Sequence, residues 1–183
     1  GADIVETNTF GATSIAQSEY GLSHLAYEMN LAAARIAREA AEECSESSGR
    51  SCFVAGAIGP TNITLSASAD VDDASTRAST WDEVYAAYVE QVKGLIDGGS
   101  DIILIETIFD VLNSKAAIKA TLDVFEELEI ELPIIISVTF IQEGGDRTVF
   151  GQSVEAFWET IRHAKPICVG MNCGLGATGL RGK

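Results

Sequence analysis

Residues 166–176 read Pro-Ile-Cys-Val-Gly-Met-Asn-Cys-Gly-Leu-Gly, and this stretch decides the fold. Its apolar run, 167–169, is typical of a strand that is buried on both faces, as in a parallel sheet. The run leads to Asn172 and Cys173, and Gly174 then frees the backbone for a tight turn. In parallel α/β folds, ligands bind where such strands end. We therefore predict that Cys173 lies at the centre of the chemistry.

The composition is that of a soluble globular protein. Hydrophobic residues make up 46% of the 183 residues and charged residues 21%. No apolar run approaches the roughly 20 residues that span a bilayer, and no signal-peptide pattern opens the chain. A net charge of −15 repels phosphate backbones, so we expect no nucleic-acid partner. Because no long apolar run is present, we also expect no membrane partner. The four cysteines contain no CxxC pair, which suits a reducing cytoplasm.

Strands and helices alternate along the chain. Thr80 and Glu83 form a capping box that opens one helix, and Asp110 and Ser153 are suited to open two others. Because a helix joins each strand to the next, the strands should pair in parallel. The pattern predicts five strands, at 4–5, 53–55, 101–105, 133–138 and 167–169, and a long first helix from about His24 to Cys44.

Two architectures fit five parallel βα units. A five-stranded flavodoxin-like sheet would be complete at this length, but it needs a phosphate-binding loop, and the chain has no GxGxxG or P-loop motif. A (β/α)8 TIM barrel needs about 250 residues. Residues 1–7 also resemble 99–107, so residue 1 falls where a helix has just ended. We predict an α/β fold that is an incomplete TIM barrel of about five βα units, truncated at both ends, with one domain over residues 1–183.

The predicted strand ends carry polar side chains that a barrel would bring to one mouth. Glu106 is the most informative of them, because a carboxylate directly after four apolar residues needs a partner or a function. It could bind a substrate ammonium group, Arg147 or a helix terminus, whereas Glu6 could be structural. The full set is Glu6, Thr7, Asn8, Thr9, Thr61, Asn62, Glu106, Thr107, Thr139, Asn172 and Cys173.

Neither the remaining cysteines nor the histidines are candidates for a second metal ligand beside Cys173. Cys168 lies within a strand and Cys52 beside one, so we interpret both as core residues, and Cys44 at a helix end as incidental. The two histidines, His24 and His163, belong to helices, which lie outside a parallel barrel. A closed zinc site needs three or four ligands, and this sequence offers one credible ligand.

Five blocks of sequence, in order and across nearly the whole chain, carry a resemblance to a known family. The blocks are 1–10, 53–62, 105–110, 151–158 and 170–173. They resemble the homocysteine-binding barrel of cobalamin-dependent methionine synthase. The related betaine-dependent and S-methylmethionine-dependent homocysteine methyltransferases share the barrel and the Asn-Cys strand end. The Gly-Pro-Thr-Asn and Gly-Gln-Ser-Val-Glu-Ala-Phe blocks favour the cobalamin-dependent branch.

The resemblance implies a zinc-dependent methyl transfer to homocysteine. In this family three cysteines hold zinc, which binds the homocysteine sulfur as a thiolate. The thiolate attacks the methyl group of methylcobalamin, which another module of the same chain presents and which 5-methyltetrahydrofolate ultimately supplies, to give methionine. Cys173 matches the first zinc cysteine, and Glu106 matches the carboxylate that binds the substrate ammonium group. Thr9 and Asn172 match positions that line the same pocket.

Two family features fall outside this sequence: an acidic strand end before residue 1 and a Gly-Gly-Cys-Cys pair after residue 183. We therefore expect the 183-residue chain alone to bind zinc weakly and to be inactive. Two alternatives remain open. One is a barrel remnant without catalytic function, which a lost downstream cysteine pair would indicate. The other is an unrelated barrel lyase or aldolase, although no lysine lies at a strand end to form a Schiff base.

Overall fold

The computed structural model describes residues 2–140 and 147–181, and these form one parallel sheet with helices between its strands. The predicted mobile loop at 144–146 lies outside the described residues. No helix in the described part of the chain is long and apolar enough to cross a membrane. The strands are β1 (Ile4–Glu6), β2 (Phe53–Ile58), β3 (Ile102–Ile108), β4 (Ile134–Val138) and β5 (Cys168–Met171). The helices are α1 (Ser14–Gln17), α2 (Ala26–Ser48), α3 (Trp81–Asp97), α4 (Val111–Leu128), α5 (Val154–Ile161) and α6 (Ala177–Leu180).

The strands lie side by side in the order in which they occur along the chain, and every neighbouring pair is parallel. A doubly wound sheet, such as that of flavodoxin, instead changes direction at a switch point in its strand order. Sequential parallel strands with crossover helices are the arrangement of a TIM barrel. The predicted barrel-type α/β fold is thus confirmed, and the flavodoxin-like alternative is wrong.

Helix starts follow the capping residues that the sequence predicts. Thr80 and Glu83 form the reciprocal capping box of α3, with the Glu83 amide 3.2 Å from Thr80 Oγ1. Asp110 caps α4, and Ser153 caps α5. The Asp110 carboxylate is buried and also accepts a hydrogen bond of 2.7 Å from the Leu65 amide. It thereby anchors the long loop between β2 and α3.

Helix α2 packs closely against its neighbours because its inner face is built from alanines. Ala34, Ala37 and Ala41 are buried there. A Cβ atom at Gly98 would lie 2.4 Å from that of Ala34, so only glycine permits this approach between α2 and the end of α3. The helix runs beyond the predicted end to Ser48, where Gly49 stops it with a φ of 67°.

Strand β3 is longer than the sequence predicts and is bulged. The sequence places its end at Ile105, but pairing with β4 resumes at Ile108 after a register shift. Glu106 and Thr107 therefore lie within the strand, and Thr107 adopts a φ of 58°. A bulge re-aims side chains locally, and bulges of this kind are common beside active sites.

Strand β5 departs from its predicted burial. The sequence predicts a strand covered on both faces, with Cys168 in the core, and both statements are wrong. Ile167 is 65% exposed, Val169 is 42% exposed, and Cys168 is exposed. Within the described residues β5 pairs with β4 alone, so its other edge and much of its surface meet solvent. Cys52 is buried, as predicted.

Candidate functional site

Three polar side chains meet at the carboxyl ends of β3 and β5. The Asn172 amide nitrogen donates hydrogen bonds to Glu106 Oε2 at 3.1 Å and to Thr107 Oγ1 at 2.8 Å. The Asn172 backbone amide is held by the Val138 carbonyl oxygen at 3.1 Å. Parallel pairing through β4 thus brings together residues that are far apart in the sequence, as the predicted strand ends require.

Ser137 on β4 fixes the orientation of the Asn172 side chain. Its hydroxyl donates to Asn172 Oδ1 at 3.1 Å and accepts the Thr107 amide at 3.4 Å. The amide nitrogen of Asn172 must then face Glu106. Ser137 is not among the site residues that the sequence predicts, and its one signal is a hydroxyl group inside the apolar run of β4.

Glu106 is unusually basic for a carboxylate. Burial of its side chain, followed by the charge and hydrogen bond of Glu6, raises the pKa of Glu106 to about 7. The hydrogen bonds from Thr107 and Asn172 favour the carboxylate and lower this pKa, but their effect is smaller. Glu6, which the sequence suggests as a structural residue, thus lies beside it. The other suggested partner, Arg147, donates to the Gly151 carbonyl oxygen at 2.8 Å. At neutral pH both the acid and the carboxylate form of Glu106 are populated.

Cys173 presents its thiol to solvent directly beyond this cluster. It is exposed, and its backbone adopts a φ of 66°. A left-handed conformation is uncommon for a residue other than glycine and carries strain. The next residue holds the turn in place, because the Gly174 amide donates to Thr139 Oγ1 at 3.1 Å. Both strained residues of this region, Thr107 and Cys173, therefore flank Asn172.

Thr9 lies deeper than the other residues predicted to bind substrate. Its side chain is buried, and its hydroxyl donates to the Ala57 carbonyl oxygen at 2.7 Å. It also lies 2.6 Å from the hydroxyl of Thr7, which accepts the Ala57 amide at 2.9 Å. These bonds join the carboxyl ends of β1 and β2. A direct contact between Thr9 and a substrate stays a prediction.

The described residues do not complete a metal site. Among residues 2–140 and 147–181, no group of three or more His, Cys, Asp or Glu side chains is placed to hold a metal ion. The sequence places His24 and His163 on helices, and both lie in short 3₁₀ segments between strands and helices. Cys173 is the thiol that this end of the sheet supplies, and a closed zinc site requires three or four ligands.

A wide groove opens beside Thr107 on the same rim. It has a volume of 510 Å³, and aromatic and amide side chains line much of it. Phe109 stacks on Phe150 with ring centroids 6.5 Å apart, which supports this wall of the rim. The groove can accommodate a group larger than an amino acid next to the Glu106 cluster. Its lining includes Phe10, Tyr20, Pro60, Asn62, Thr107 and Phe109.

Solved structures of the homocysteine methyltransferase MmuM from Escherichia coli share this fold. The metallated form has a TM-score of 0.73 at 19% sequence identity, over 94% of this chain and 58% of that chain. The oxidized form gives 0.73 at 17% identity, over 94% and 57%. The apo form gives 0.69 at 16% identity, over 98% and 59%. This chain therefore spans less than two thirds of the length of these proteins.

The sequence itself matches the family described as homocysteine S-methyltransferase. The match covers residues 1–182, which is nearly the whole chain. It is consistent with the sequential parallel sheet and with the polar cluster at the strand ends. The chain belongs to the homocysteine S-methyltransferase family.

Proposed function

We propose that this chain is the homocysteine-binding part of a cobalamin-dependent methionine synthase, in which homocysteine receives a methyl group to become methionine. One observation carries the proposal: Asn172 donates to the half-buried carboxylate of Glu106, and the exposed thiol of Cys173 is the next residue. Homocysteine carries an ammonium group and a thiol. A carboxylate and a soft metal ligand at neighbouring positions are complementary to those two groups.

Glu106 binds the ammonium group of homocysteine in this proposal. Its pKa of about 7 reflects burial and the neighbouring charge of Glu6. A bound cation favours the carboxylate form, so Glu106 loses its proton when the amino acid binds. Binding should therefore weaken as the pH falls below 7, by up to about tenfold per pH unit. Glu6 supplies a second negative charge that strengthens attraction for the ammonium group.

Asn172 and Thr9 shape the pocket around that ion pair. The amide of Asn172 holds the Glu106 carboxylate from one side, and Ser137 holds the amide. Thr9 holds the neighbouring ends of β1 and β2 together, through its bonds to Thr7 and Ala57. The carboxylate therefore meets the substrate in a fixed orientation, which limits the conformational entropy lost on binding.

Cys173 is a zinc ligand in this proposal, together with two cysteines outside the sequence. When bound, zinc would stabilise the homocysteine thiolate over the thiol at neutral pH. The part played by this chain is to hold one thiol at the mouth of the sheet. The turn of Cys173, clamped through Gly174 and Thr139, does so without burying the sulfur.

The methyl donor in the proposal is methylcobalamin, carried by another module of the native protein and recharged from 5-methyltetrahydrofolate. The groove beside Thr107 leaves space on the rim for a large donor. The sequence blocks 59–62 and 151–157 favour this donor. The fold shared with MmuM keeps a betaine-type or S-methylmethionine-type methyltransferase as the second candidate. A cytoplasmic location fits either enzyme.

The experiment that separates these candidates is a donor assay. The native protein that contains this sequence is supplied with homocysteine and with methylcobalamin, S-methylmethionine or betaine in turn, and methionine is quantified. We expect methionine from methylcobalamin. Formation of methionine from one of the other two donors alone would favour the second candidate, and its absence with all three would favour a remnant without catalytic function.

A further inference from the structure

A pair of thiols lies at the opposite end of the sheet, between α2 and β2. Ala37, Ala41 and Cys44 recur at helical spacing and therefore share one face of α2. Cys52 and Val54 alternate with Phe53 and share one face of the β2 segment. These two faces pack against each other as a small hydrophobic cluster, with Cys44 on its helix side and Cys52 on its strand side.

The connection between the two cysteines is short and tightly reversed. Gly49 turns the chain with a φ of 67° after α2 ends. The Cys52 amide then donates to the Ser45 hydroxyl at 3.0 Å, which fixes residue 52 against the residue that follows Cys44. Cys44 packs against the cluster that contains Cys52. A hydrogen bond that the Cys52 thiol donates to Cys44, followed by burial, raises the pKa of Cys52.

We propose that Cys44 and Cys52 form a site of reversible oxidation, at which a small-molecule disulfide converts the two thiols into an intramolecular disulfide. Cys44 is the partly accessible member and Cys52 is the buried one. The oxidant therefore meets Cys44 first, and Cys52 resolves the intermediate. The bond would join the carboxyl end of α2 to the start of β2.

The reaction balances as two thiol–disulfide exchanges. The Cys44 thiolate attacks one sulfur of the small disulfide, which forms a mixed disulfide and releases one small thiolate. Cys52 loses its proton and its sulfur attacks Cys44 Sγ, which forms the intramolecular bond and releases the second small thiolate. The protons lost by the two cysteines end on the two released thiols. The protein is oxidised by two electrons, and a reducing thiol such as dithiothreitol reverses the change.

This site is separate from the proposed homocysteine site. Cys52 lies directly before β2, at the amino end of the sheet, whereas Cys173 follows the carboxyl end of β5. Oxidation at the α2–β2 connection can therefore occur whether or not the chain binds homocysteine. The other two cysteines, Cys168 and Cys173, are exposed and have no place in this cluster.

The test is a mass and peptide measurement on the 183-residue chain. The protein is incubated with oxidised glutathione, denatured, alkylated with iodoacetamide and digested. We expect a peptide that links Cys44 to Cys52, a mass about 2 Da lower at that pair, and loss of the link after dithiothreitol. Circular dichroism before denaturation checks that the chain is folded.

Two variants sharpen the measurement. The double variant Cys168→Ser, Cys173→Ser should form the link as the wild type does, because it changes only the exposed cysteines. Cys44→Ser should leave Cys52 available to alkylation. The proposal is overturned if folded wild-type protein carries glutathione on Cys168 or Cys173 while Cys44 and Cys52 are both alkylated, or if Cys44 is linked to any other cysteine.

Discussion

The two ends of the sheet use the same residue types in opposite ways. At the amino end, Asp101 pairs with Arg38 and accepts the Val54 amide at 2.7 Å, and Asp3 pairs with Arg50. At the carboxyl end, Glu106 faces a second carboxylate instead of a cation. Pairing a carboxylate stabilises a fold, whereas two facing carboxylates destabilise it.

This contrast points to where the molecule holds a binding function. The carboxyl end combines a raised pKa at Glu106 with left-handed backbone at Thr107 and Cys173. Perturbed acids and strained residues cluster at sites where the strain serves a function. The amino end also has left-handed residues, Glu129 and Lys165, but its carboxylates Asp3 and Asp101 each pair with an arginine. In the proposed function, the substrate ammonium group is the cation that pairs with Glu106.

The largest expected effect compares the two exposed cysteines of the β5 region in the native protein. Cys173→Ser should lower methionine formation by about 100-fold or more, because a serine hydroxyl is a poor ligand for a soft metal site. Cys168→Ser should change it by less than about twofold, since surface substitutions have small effects. Metal content, measured by mass spectrometry, should fall in the first variant only. Equal losses in both variants would contradict the assignment of Cys173.

The next largest effect comes from Glu106→Gln, which removes the charge but keeps the shape. Homocysteine affinity should fall by about 10- to 100-fold, because a charge-assisted bond to the ammonium group is lost. Isothermal titration of the native protein measures this change. A variant that binds homocysteine as tightly as the wild type would show that Glu106 is not the ammonium partner.

The same variant should reveal how Glu106 affects stability. Because its folded pKa is raised from 4.5 to about 7, its stabilising contribution is fully present below pH 4.5 and is lost as the pH rises through 7. The wild type should therefore lose stability relative to Glu106→Gln between pH 4.5 and pH 8. Urea unfolding of both proteins at several pH values measures the difference, and a difference independent of pH would contradict the raised pKa.

At the amino end, removing a carboxylate should lower the free energy of unfolding, because the carboxylates there are paired with arginines. Asp101→Ala removes the partner of Arg38 and of the Val54 amide, so it should lower the free energy of unfolding by about 1–3 kcal/mol. Its matched control, Asp3→Ala, removes a more exposed ion pair and should cost less than about 1 kcal/mol. Neither variant should change homocysteine affinity. If Asp101→Ala lost homocysteine affinity while its stability stayed unchanged, the assignment of binding to the carboxyl end alone would be contradicted.

The smallest effect concerns the orientation of Asn172. Ser137→Ala removes the hydroxyl that holds Asn172 Oδ1, so the amide can rotate away from Glu106. Homocysteine affinity should fall by about fivefold, the value of one hydrogen bond. Ser137→Thr keeps the hydroxyl and should restore affinity. If both variants lose affinity equally, Ser137 acts through packing rather than through its hydrogen bond.

The sequence predicts the elements of the fold well because their signals are local. The capping box of Thr80 and Glu83 and the cap at Asp110 depend on residues a few positions apart, and both are present. The change from apolar to polar residues is also local, which is why Glu106, Asn172 and Cys173 could be singled out, although β3 continues past Glu106 to Ile108. The prediction of a barrel-type strand order depended on the family resemblance and on the internal repeat, because local patterns do not define which strands are neighbours.

Features that depend on pairing across the sheet could not be predicted in this way. Glu6 and Glu106 are adjacent only because β1, β2 and β3 lie in sequential order. Ser137 contacts Asn172 only through the register of β4 with β5. The prediction that Cys168 is buried was wrong, because the sequence reasoning assumed that other elements cover β5 on both faces. Coverage is a property of neighbouring elements, and an apolar run does not report it.

The most direct test of the central claim is the titration of Glu106 itself. The side-chain carboxyl carbon is followed by NMR as the pH is varied, with Glu106→Gln for assignment and Glu6→Gln as the comparison. We predict a midpoint near 7 in the wild type, a lower midpoint in Glu6→Gln, and a lower midpoint when homocysteine is added to the native protein. A midpoint near 4.5 that neither Glu6→Gln nor homocysteine changes would contradict the assignment of this end of the sheet as the ammonium-binding site.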